Sequence, residues 1–167
     1  QASNAEGLSR QAESYLRTED AGQLEKMSGM LGGFKKRNSD IGSVCLVLPE
    51  QKVIVTSEDY PVYVKKVEDS VLKHIAEVSL EDHPVIIKDP VRKQNKVLSF
   101  IEPVIKDDGS VLGFVMCNVE ERAVYYKYLD ILNDGRSSDA VLLNKKNVIV
   151  STKNAESMGK IYRNSNF

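Results

Sequence analysis

Residues 97–119, VLSFIEPVIKDDGSVLGFVMCNV, constrain the fold more than any other stretch of the chain. Two apolar runs flank the polar, glycine-containing turn KDDGS, which is the pattern of a β-hairpin. Strands of this length present a wide apolar face that other strands or helices must cover. The hairpin therefore predicts a sheet-based domain whose other strands and cover come from the rest of the chain.

Two polar side chains, Glu102 and Asn118, interrupt these apolar runs. Alternate residues of a strand share a face, so Asn118 shares one with Phe114 and Met116. If both faces are covered, Asn118 is a buried polar group that needs hydrogen-bond partners. A pocket ligand and a neighbouring loop are equally good sources of them. Glu102, beside Pro103, is expected to face solvent.

The segments around the hairpin predict helices and further strands. Apolar residues recur at helical spacing over residues 6–39, which predicts one long helix weakened by its glycines. SVCLVLPEQKVIVTS (43–57) predicts a second hairpin, and HPVIIKDP (83–90) predicts a short strand. Between them, a helix starting near Pro61 and Asp59 would carry one apolar face: Val64, Val67, Val71, Leu72 and Ile75.

A possible internal repeat lies near the C-terminus. CLVLPEQKVIVTS (45–57) and AVLLNKKNVIVST (140–152) align without a gap. Both have an apolar run, a polar turn and then VIV followed by two hydroxyl residues. Each copy follows a helical segment, which for the second copy is residues 120–132. Any two apolar hairpins look somewhat alike, so the alternative to a repeat is a chance similarity.

The order of these elements predicts an α+β fold. A long N-terminal helix packs on an antiparallel five-stranded sheet with inserted helices, and the start of a second, similar module follows. A cavity between the sheet and the segment 60–80 is the expected place for a ligand.

Charge and motifs exclude several classes of function. The chain has 23 basic and 24 acidic residues and a net charge of −1, so nucleic acid is not an expected partner. No apolar run is long enough to span a bilayer. His74 and His83 lack catalytic or metal-binding partners at fixed spacing. Cys45 and Cys117 are interpreted as buried thiols rather than a disulfide. We therefore expect no catalytic residue, metal or cofactor, and an enzyme is disfavoured.

Three stretches resemble the Cache-type sensor domains of bacterial membrane receptors, which are PAS-like, and their double form in particular. VCLVLPEQKVIVTS follows a long N-terminal helix, as in that family. VLSFIEPVIKDDGSVLGFVMCNV is similar to the family's hairpin, which ends in an Asp. AVLLNKKNVIVSTKNAESMGK (140–160) resembles the opening of a membrane-proximal second module.

The resemblance implies a receptor domain on the extracytoplasmic face of a bacterial membrane. Membrane helices would anchor the parent protein, the full-length receptor would be a homodimer, and the long helix would carry the signal. Sensor histidine kinases of the YesM-like type are the most similar. Membrane-anchored AraC-type regulators, chemoreceptors and diguanylate cyclases carry similar modules. A dimerisation or protein-partner-sensing module without a small ligand is the alternative.

The family's ligand-binding residues carry over in part. Asn118 stands where amino-acid-binding members have an Asp, and Ile87 and Asp89 stand where they have Tyr-x-Asp. Their Arg-x-Trp pair has no counterpart, because the chain has no Trp. An ammonium prefers carboxylates, so these departures favour a neutral or acidic small molecule, or a vestigial pocket. The complete candidate site is Asn118, Asp89, Tyr60, Tyr63, Ile87 and Met116.

These predictions divide the chain into five segments. QASNA (1–5) looks like the remnant of a cleaved expression tag. The other four are a long signalling helix at 6–42, a membrane-distal Cache domain at 43–119, a connecting helix and loop at 120–139, and the incomplete start of a membrane-proximal module at 140–167.

Overall fold

The computed structural model describes residues 2–57, 64–92, 96–132 and 140–163. Groups of antiparallel strands separated by helices make up these residues, which confirms the predicted α+β class. The helices are α1 (Ala2–Thr18), α2 (Ala21–Lys36), α3 (Asp69–Val78) and α4 (Glu121–Val124), which continues as a π turn (Tyr125–Leu129) and a 3-10 turn (Asp130–Leu132). The strands are β1 (Ser43–Leu48), β2 (Val53–Thr56), β3 (Val64–Lys66), β4 (Val85–Lys88), β5 (Lys96–Ile105), β6 (Val111–Glu120), β7 (Val141–Leu143) and β8 (Ile149–Thr152).

The strands form two sheets. Six of them lie in the order β3-β2-β1-β6-β5-β4, and β7 pairs with β8 alone. The described pairs β1–β2, β2–β3, β4–β5 and β7–β8 are all antiparallel. The chain divides into two compact units, residues 1–80 with 101–117 and residues 81–100 with 118–167.

The core of the first unit joins the two N-terminal helices to one face of β1 and β2. Alternate residues of each strand reach it, as the pleat requires. Its buried members are Leu8, Ala12, Tyr15, Leu24, Met27, Leu31, Val44, Leu46, Leu48, Val53, Val55 and Leu112. Cys45 and Val47, on the opposite face of β1, are also fully buried. Both faces of this strand are therefore covered, which explains its continuous apolar sequence.

The N-terminal helical region is two helices, and the prediction of one long helix is wrong in this respect. Glu19 has a left-handed φ of 50°. Asp20 then caps α2, and its carboxylate accepts a hydrogen bond from the Gly22 N–H at 2.9 Å. An Asp with extended backbone satisfies an N–H that a helix start leaves unpaired. The glycines expected to weaken the helix instead lie inside α2.

The segment 60–80 contains a strand as well as a helix, which corrects the second prediction. Val64 lies in β3, where it pairs with Val55 of β2. The helix begins only at Asp69. Pairing with an open sheet edge has outweighed the helical spacing of the valines, which are β-branched residues suited to strands. The sheet consequently has six strands rather than five. Asp59 and Pro61, the predicted helix start, lie outside the described residues.

The hairpin of β5 and β6 is confirmed, and two glycines explain its geometry. Gly109 has a φ of +83° in the turn, where the Lys106 N–H donates to the Ser110 carbonyl at 2.8 Å. Gly113 lies against β1, and a Cβ built there would be 2.2 Å from the Val47 carbonyl oxygen. Only a residue without a side chain fits so close to a neighbouring backbone.

The β7–β8 hairpin repeats the backbone geometry of β1–β2 at aligned positions. Lys52 and Asn147 both have left-handed φ values, 53° and 59°. Their N–H groups donate to Pro49 and Asn144 at 3.1 and 3.0 Å, closing the same turn. The strand register differs between the two copies, because Val141 lies opposite Thr152 whereas the aligned Leu46 lies opposite Val55, and β7–β8 has an irregularity after Leu142.

The similarity extends beyond the aligned sequence. Val53 pairs with Lys66, and the aligned Val148 forms a bridge to Ile161. The Lys52 carbonyl accepts from the Val67 N–H at 2.8 Å, and the Asn147 carbonyl accepts from the Tyr162 N–H at 2.7 Å. The two segments thus share a turn and one equivalent bridge to the chain that follows, which a chance similarity of apolar hairpins would not require.

Candidate functional site

Asn118 lies on β6 and is buried, with a relative exposure of 1%. Its Oδ1 atom accepts a hydrogen bond from the Ser99 hydroxyl of β5 at 2.7 Å. Ser99 is also fully buried. The side chains of the two strands therefore meet on one face, and the partner that Asn118 needs comes at least in part from the protein.

The surroundings of this pair are apolar. Val85 of β4 lies opposite Ser99, and Ile87 lies opposite Val97. All three aliphatic residues are at most 6% exposed. A hydroxyl and an amide buried among aliphatic side chains are costly unless they are bonded. The two polar side chains therefore satisfy each other within an apolar layer, and this face of the sheet carries one specific, bonded polar pair.

Asp89 follows β4 and is buried, with 4% exposure. Its Oδ1 atom accepts hydrogen bonds from the backbone N–H groups of Val91 at 2.8 Å and Arg92 at 3.1 Å. This is the Asx-type arrangement in which Asp shapes a turn. Arg92 forms an ion pair with Glu120, with 3.1 Å between Nη1 and Oε1. At least one oxygen of Asp89 therefore has a structural role.

The other predicted site residues are Ile87, Met116, Tyr60 and Tyr63, and they lie in different parts of the chain. Ile87 belongs to the second unit together with Asn118 and Asp89. Met116 is fully buried in the first unit, on the same face of β6 as Asn118 by strand alternation. Tyr60 and Tyr63 lie outside the described residues. Glu102, expected to face solvent, is exposed.

Ser99 was not among the predicted site residues, although the sequence contains a signal for it. Val97, Ser99 and Ile101 alternate on one face of β5, and all are buried. Strand alternation, which places Asn118 on a covered face of β6, equally places Ser99 on a covered face of β5. Ser99 is therefore a second polar residue that the sequence pattern indicates.

A buried carboxylate in the second unit was also missed. Glu121, at 2% exposure, accepts a hydrogen bond from the Ser151 hydroxyl at 2.6 Å. It also pairs with Arg122 Nε at 2.9 Å. Arg122 in turn donates to the Thr152 carbonyl at 3.0 Å. These contacts bind α4 to β8.

The described part of the chain can be compared with the expectations for the cysteines, for metal ligands and for membrane-spanning helices. Cys45 and Cys117 are free thiols, the first buried and the second half-buried. Within the described residues, no cluster of His, Cys, Asp or Glu side chains has the arrangement of a metal site. None of the described helices has the length and apolar character needed to cross a bilayer.

Comparison with known proteins gives matches only among solved structures. No family model and no curated protein matches the chain. The ligand-binding domain of the Campylobacter jejuni chemoreceptor Tlp3, in complex with L-norvaline, matches with a TM-score of 0.56 and 16% identity, over 96% of this chain and 64% of that one.

Two other matches are of the same kind. The ligand-binding domain of the Pseudomonas aeruginosa PAO1 amino acid chemoreceptor PctB, in complex with L-Arg, has a TM-score of 0.55 and 12% identity, over 96% of this chain and 66% of that one. The sensor domain of the Vibrio cholerae histidine kinase DctB has a TM-score of 0.58 and 12% identity, over 87% and 54%. The chain thus spans less than two thirds of the length of each. It has the PAS-like, Cache-type α+β fold of these sensory domains.

Proposed function

We propose that the chain is the ligand-sensing domain of a bacterial membrane receptor, located on the extracytoplasmic face of the membrane. The observation that carries this proposal is the buried Asn118–Ser99 pair on an apolar sheet face, in a fold shared with ligand-binding sensory domains. The ligand is a small molecule bound on this face. Ile87 would contact its apolar part, and Met116, Tyr60 and Tyr63 stay predicted site residues.

The chemistry of the site favours a neutral or acidic ligand over an α-amino acid. Asn118 is uncharged, and the Asp89 carboxylate already accepts two backbone hydrogen bonds. An ammonium group would therefore find fewer available carboxylate oxygens than it normally selects. An amide offers both N–H donors and a carbonyl acceptor, which suits a hydroxyl, a carbonyl or a carboxylate on the ligand.

The proposed parent is a YesM-like sensor histidine kinase that acts as a homodimer. A chemoreceptor is the second candidate, because the similar structures include two chemoreceptors as well as a histidine kinase. Ligand binding must favour one state of the domain over another for a signal to pass, and the N-terminal helices are the proposed output.

The proposed domain division follows the predicted boundaries. Residues 43–119 form the ligand-binding module, 120–139 form a connection, and 140–167 begin a second module. The shared turn geometry of Lys52 and Asn147 supports a duplicated unit. An isolated two-stranded sheet is marginally stable in water, so β7 and β8 are expected to gain further strands in a complete module.

A thermal-shift screen tests this function. Amino acids, carboxylates, sugars, purines and peptides are added singly, since a ligand that binds the native state raises the melting temperature. We expect a hit among neutral or acidic compounds. Asn118→Ala and Asp89→Ala should abolish the ligand-induced shift, measured against each variant's own unliganded melting temperature, because the first removes the buried amide and the second removes the acceptor that shapes the turn after β4. Leu80→Ala, at an 88% exposed position, is the control that keeps it.

An equal shift in wild type and both variants would remove Asn118 and Asp89 from the site. A folded protein without any hit would favour a dimerisation or partner-sensing module instead.

A further inference from the structure

A cavity lies in the first unit, between the N-terminal helices and the sheet. Its volume is about 1020 Å³, at the upper end of the ~300–1,000 Å³ range of small-molecule sites. The first half of α1, the end of α2 and parts of β5 and β6 line it. Val115 and Cys117 of β6 line this groove, and their neighbour Met116 points to the opposite face. The groove is therefore separate from the face that carries Asn118.

The floor of this groove is apolar and belongs to the core of the unit. Leu8 and Val44 are buried there, at 3% and 4% exposure. Four half-buried residues pack against the same core and complete the floor: Phe34, Ile41, Val104 and Val115. Apolar area removed from water stabilises a complex by roughly 25 cal/mol per Å² before the costs of binding are subtracted. An apolar molecule can therefore gain affinity here.

The rim of the groove has more negative than positive side chains. Glu6, Glu13, Glu102 and Asp107 lie around it, with Arg10 and Arg37 as the two cations. Glu6 and Arg10 pair with each other at 3.6 Å. Among the described ion pairs, none involves Glu13, Glu102 or Asp107, so the rim keeps an excess of negative charge beside Arg37.

We propose that this groove binds a small amphipathic cation, a molecule with an apolar body and one protonated amine. The body lies on the floor formed by Val44, Val104 and Val115. The amine lies at the rim, where the carboxylates of Glu13, Glu102 and Asp107 attract it and accept its hydrogen bonds. A charge-assisted hydrogen bond is stronger than a neutral one.

A second copy of the chain is a poorer occupant of this groove. In a two-fold dimer the same patch of each subunit faces itself. Glu13, Glu102 and Asp107 of both copies would then come together, and the juxtaposition of like charges opposes association. An anionic ligand meets the same repulsion. The excess of carboxylates therefore selects a cation.

Tryptamine is the probe, with tryptophol and indole-3-propionate as its neutral and anionic analogues. All three have an indole body, so differences between them report the charge. Titration calorimetry at low salt should give at least about tenfold tighter binding for tryptamine than for tryptophol, and the weakest binding for the anion. Added salt should lower the affinity for tryptamine more than the affinity for tryptophol, because salt screens the attraction between exposed charges. Equal affinities for tryptamine and tryptophol, or no binding of tryptamine, would overturn the proposal.

Variants locate the site. The triple change Glu13→Gln, Glu102→Gln and Asp107→Asn removes three rim carboxylates with little change in side-chain size, which leaves Glu6 with Arg10 and Arg37. It should reduce the preference for tryptamine over tryptophol to about onefold or below. Glu25→Gln removes an exposed carboxylate of α2 outside the groove and should leave the preference unchanged. An undiminished preference in the triple variant would overturn the assignment of the rim.

Blocking the floor provides an independent measurement. Val115→Trp should abolish binding of both indoles, and circular dichroism checks that the variant is folded. If this variant is unfolded, bulky maleimide modification of Cys117 replaces it, with Cys117→Ser as the unmodified control. Asn118→Ala should bind tryptamine normally, which separates this site from the sensing face. Binding that survives a blocked floor, or that is lost in Asn118→Ala, would contradict the proposal.

Discussion

At the residue scale, the side chain with the clearest role is Asn118. The sequence left two sources open for its hydrogen bonds, a ligand and the protein itself. Ser99 supplies one of them from the neighbouring strand at 2.7 Å. A buried pair of this kind fixes the orientation of the amide, because breaking it leaves a polar group unsatisfied among aliphatic side chains. A ligand would consequently meet a pre-oriented group.

Asn118→Ala should lower the free energy of unfolding by roughly 1–3 kcal/mol, the usual cost of an unsatisfied buried polar partner. Ser99→Ala should have a similar effect. The double variant should lose clearly less free energy of unfolding than the two single variants lose together. The reason is that the second change removes the polar partner that the first change left unsatisfied. Urea denaturation of all four proteins measures this, and strict additivity would show that the two residues do not interact.

The Cys117 thiol provides a pH-dependent prediction. Burial disfavours the thiolate and raises the pKa of Cys117 above its usual 9.0. The thiolate is the reactive form, so its fraction at pH 8 is lower than in an exposed cysteine. Alkylation by iodoacetamide should therefore be slower than in an unstructured cysteine peptide, and its rate should continue to rise above pH 9.

Mass spectrometry follows this reaction, with Cys117→Ser identifying the modified site. Cys45 is fully buried and should stay unmodified in the native protein. A rate for Cys117 that levels off below pH 9 would contradict the raised pKa.

At the element scale, the break between α1 and α2 decides how the helical layer covers the sheet. Periodicity alone predicted a continuous helix, because the apolar spacing continues across residues 18–21. Asp20 ends this continuity by capping α2, and Glu19 adopts the left-handed conformation that turns the chain. Two short helices can both lie on the sheet, and both contribute buried residues to the core.

Asp20→Ala should lower the free energy of unfolding by about 1 kcal/mol, because the Gly22 N–H loses its capping acceptor. Asp20→Asn retains an acceptor at the same position and should be nearly neutral. Thermal unfolding of the two variants distinguishes them. Equal stability of both would mean that the cap does not stabilise α2.

Gly113→Ala tests the contact between β6 and β1. The added Cβ would lie 2.2 Å from the Val47 carbonyl oxygen, so the strands must separate, and we expect a loss of about 3 kcal/mol or more. Gly29→Ala is the matched control, because a Cβ there meets no atom within 4 Å. In a helix interior it should stabilise by about 0.5–1 kcal/mol. Chemical denaturation should show opposite signs for the two changes.

At the scale of the whole molecule, the most informative feature is the repeated hairpin. The sequence alignment rests on apolar residues that many hairpins share. The structure adds two features that apolar hairpins do not generally share. Lys52 and Asn147 both have left-handed φ values, and Val53 and Val148 form equivalent bridges to Lys66 and Ile161. The two compact units therefore each contain one copy of the same turn.

Glycine substitutions compare the two copies. Lys52→Gly should raise the free energy of unfolding by up to about 1 kcal/mol, because a left-handed conformation strains a residue with a Cβ. Asn147→Gly should raise the free energy of unfolding by less, since Asn tolerates this conformation better than Lys. Thermal unfolding measures both, and Lys52→Ala, which keeps the strain, is the control. Both Lys52 variants lose the ion pair with Asp69, so a Lys52→Gly variant less stable than Lys52→Ala would contradict the turn geometry.

The sequence predicted a large part of the fold and a smaller part of the candidate site. Alternation and turn chemistry act locally, so the hairpins 43–57, 97–119 and 140–152 were all identified. The strand β3 was missed because an open sheet edge, far away in sequence, decides whether Val64 joins it. Ser99 was missed because its significance depends on the partner across the hairpin.

The sequence by itself determined which residues are strand-like, where the main turns lie, and that Asn118 is a polar residue on an apolar strand. These properties follow from neighbours within a few positions. Only the tertiary structure decided that Asn118 bonds to Ser99, that Asp89 shapes a turn, and that Glu121 binds α4 to β8. It also brought α1, β5 and β6 together around the groove. Such contacts depend on segments distant in the chain, whose pairing local patterns do not encode.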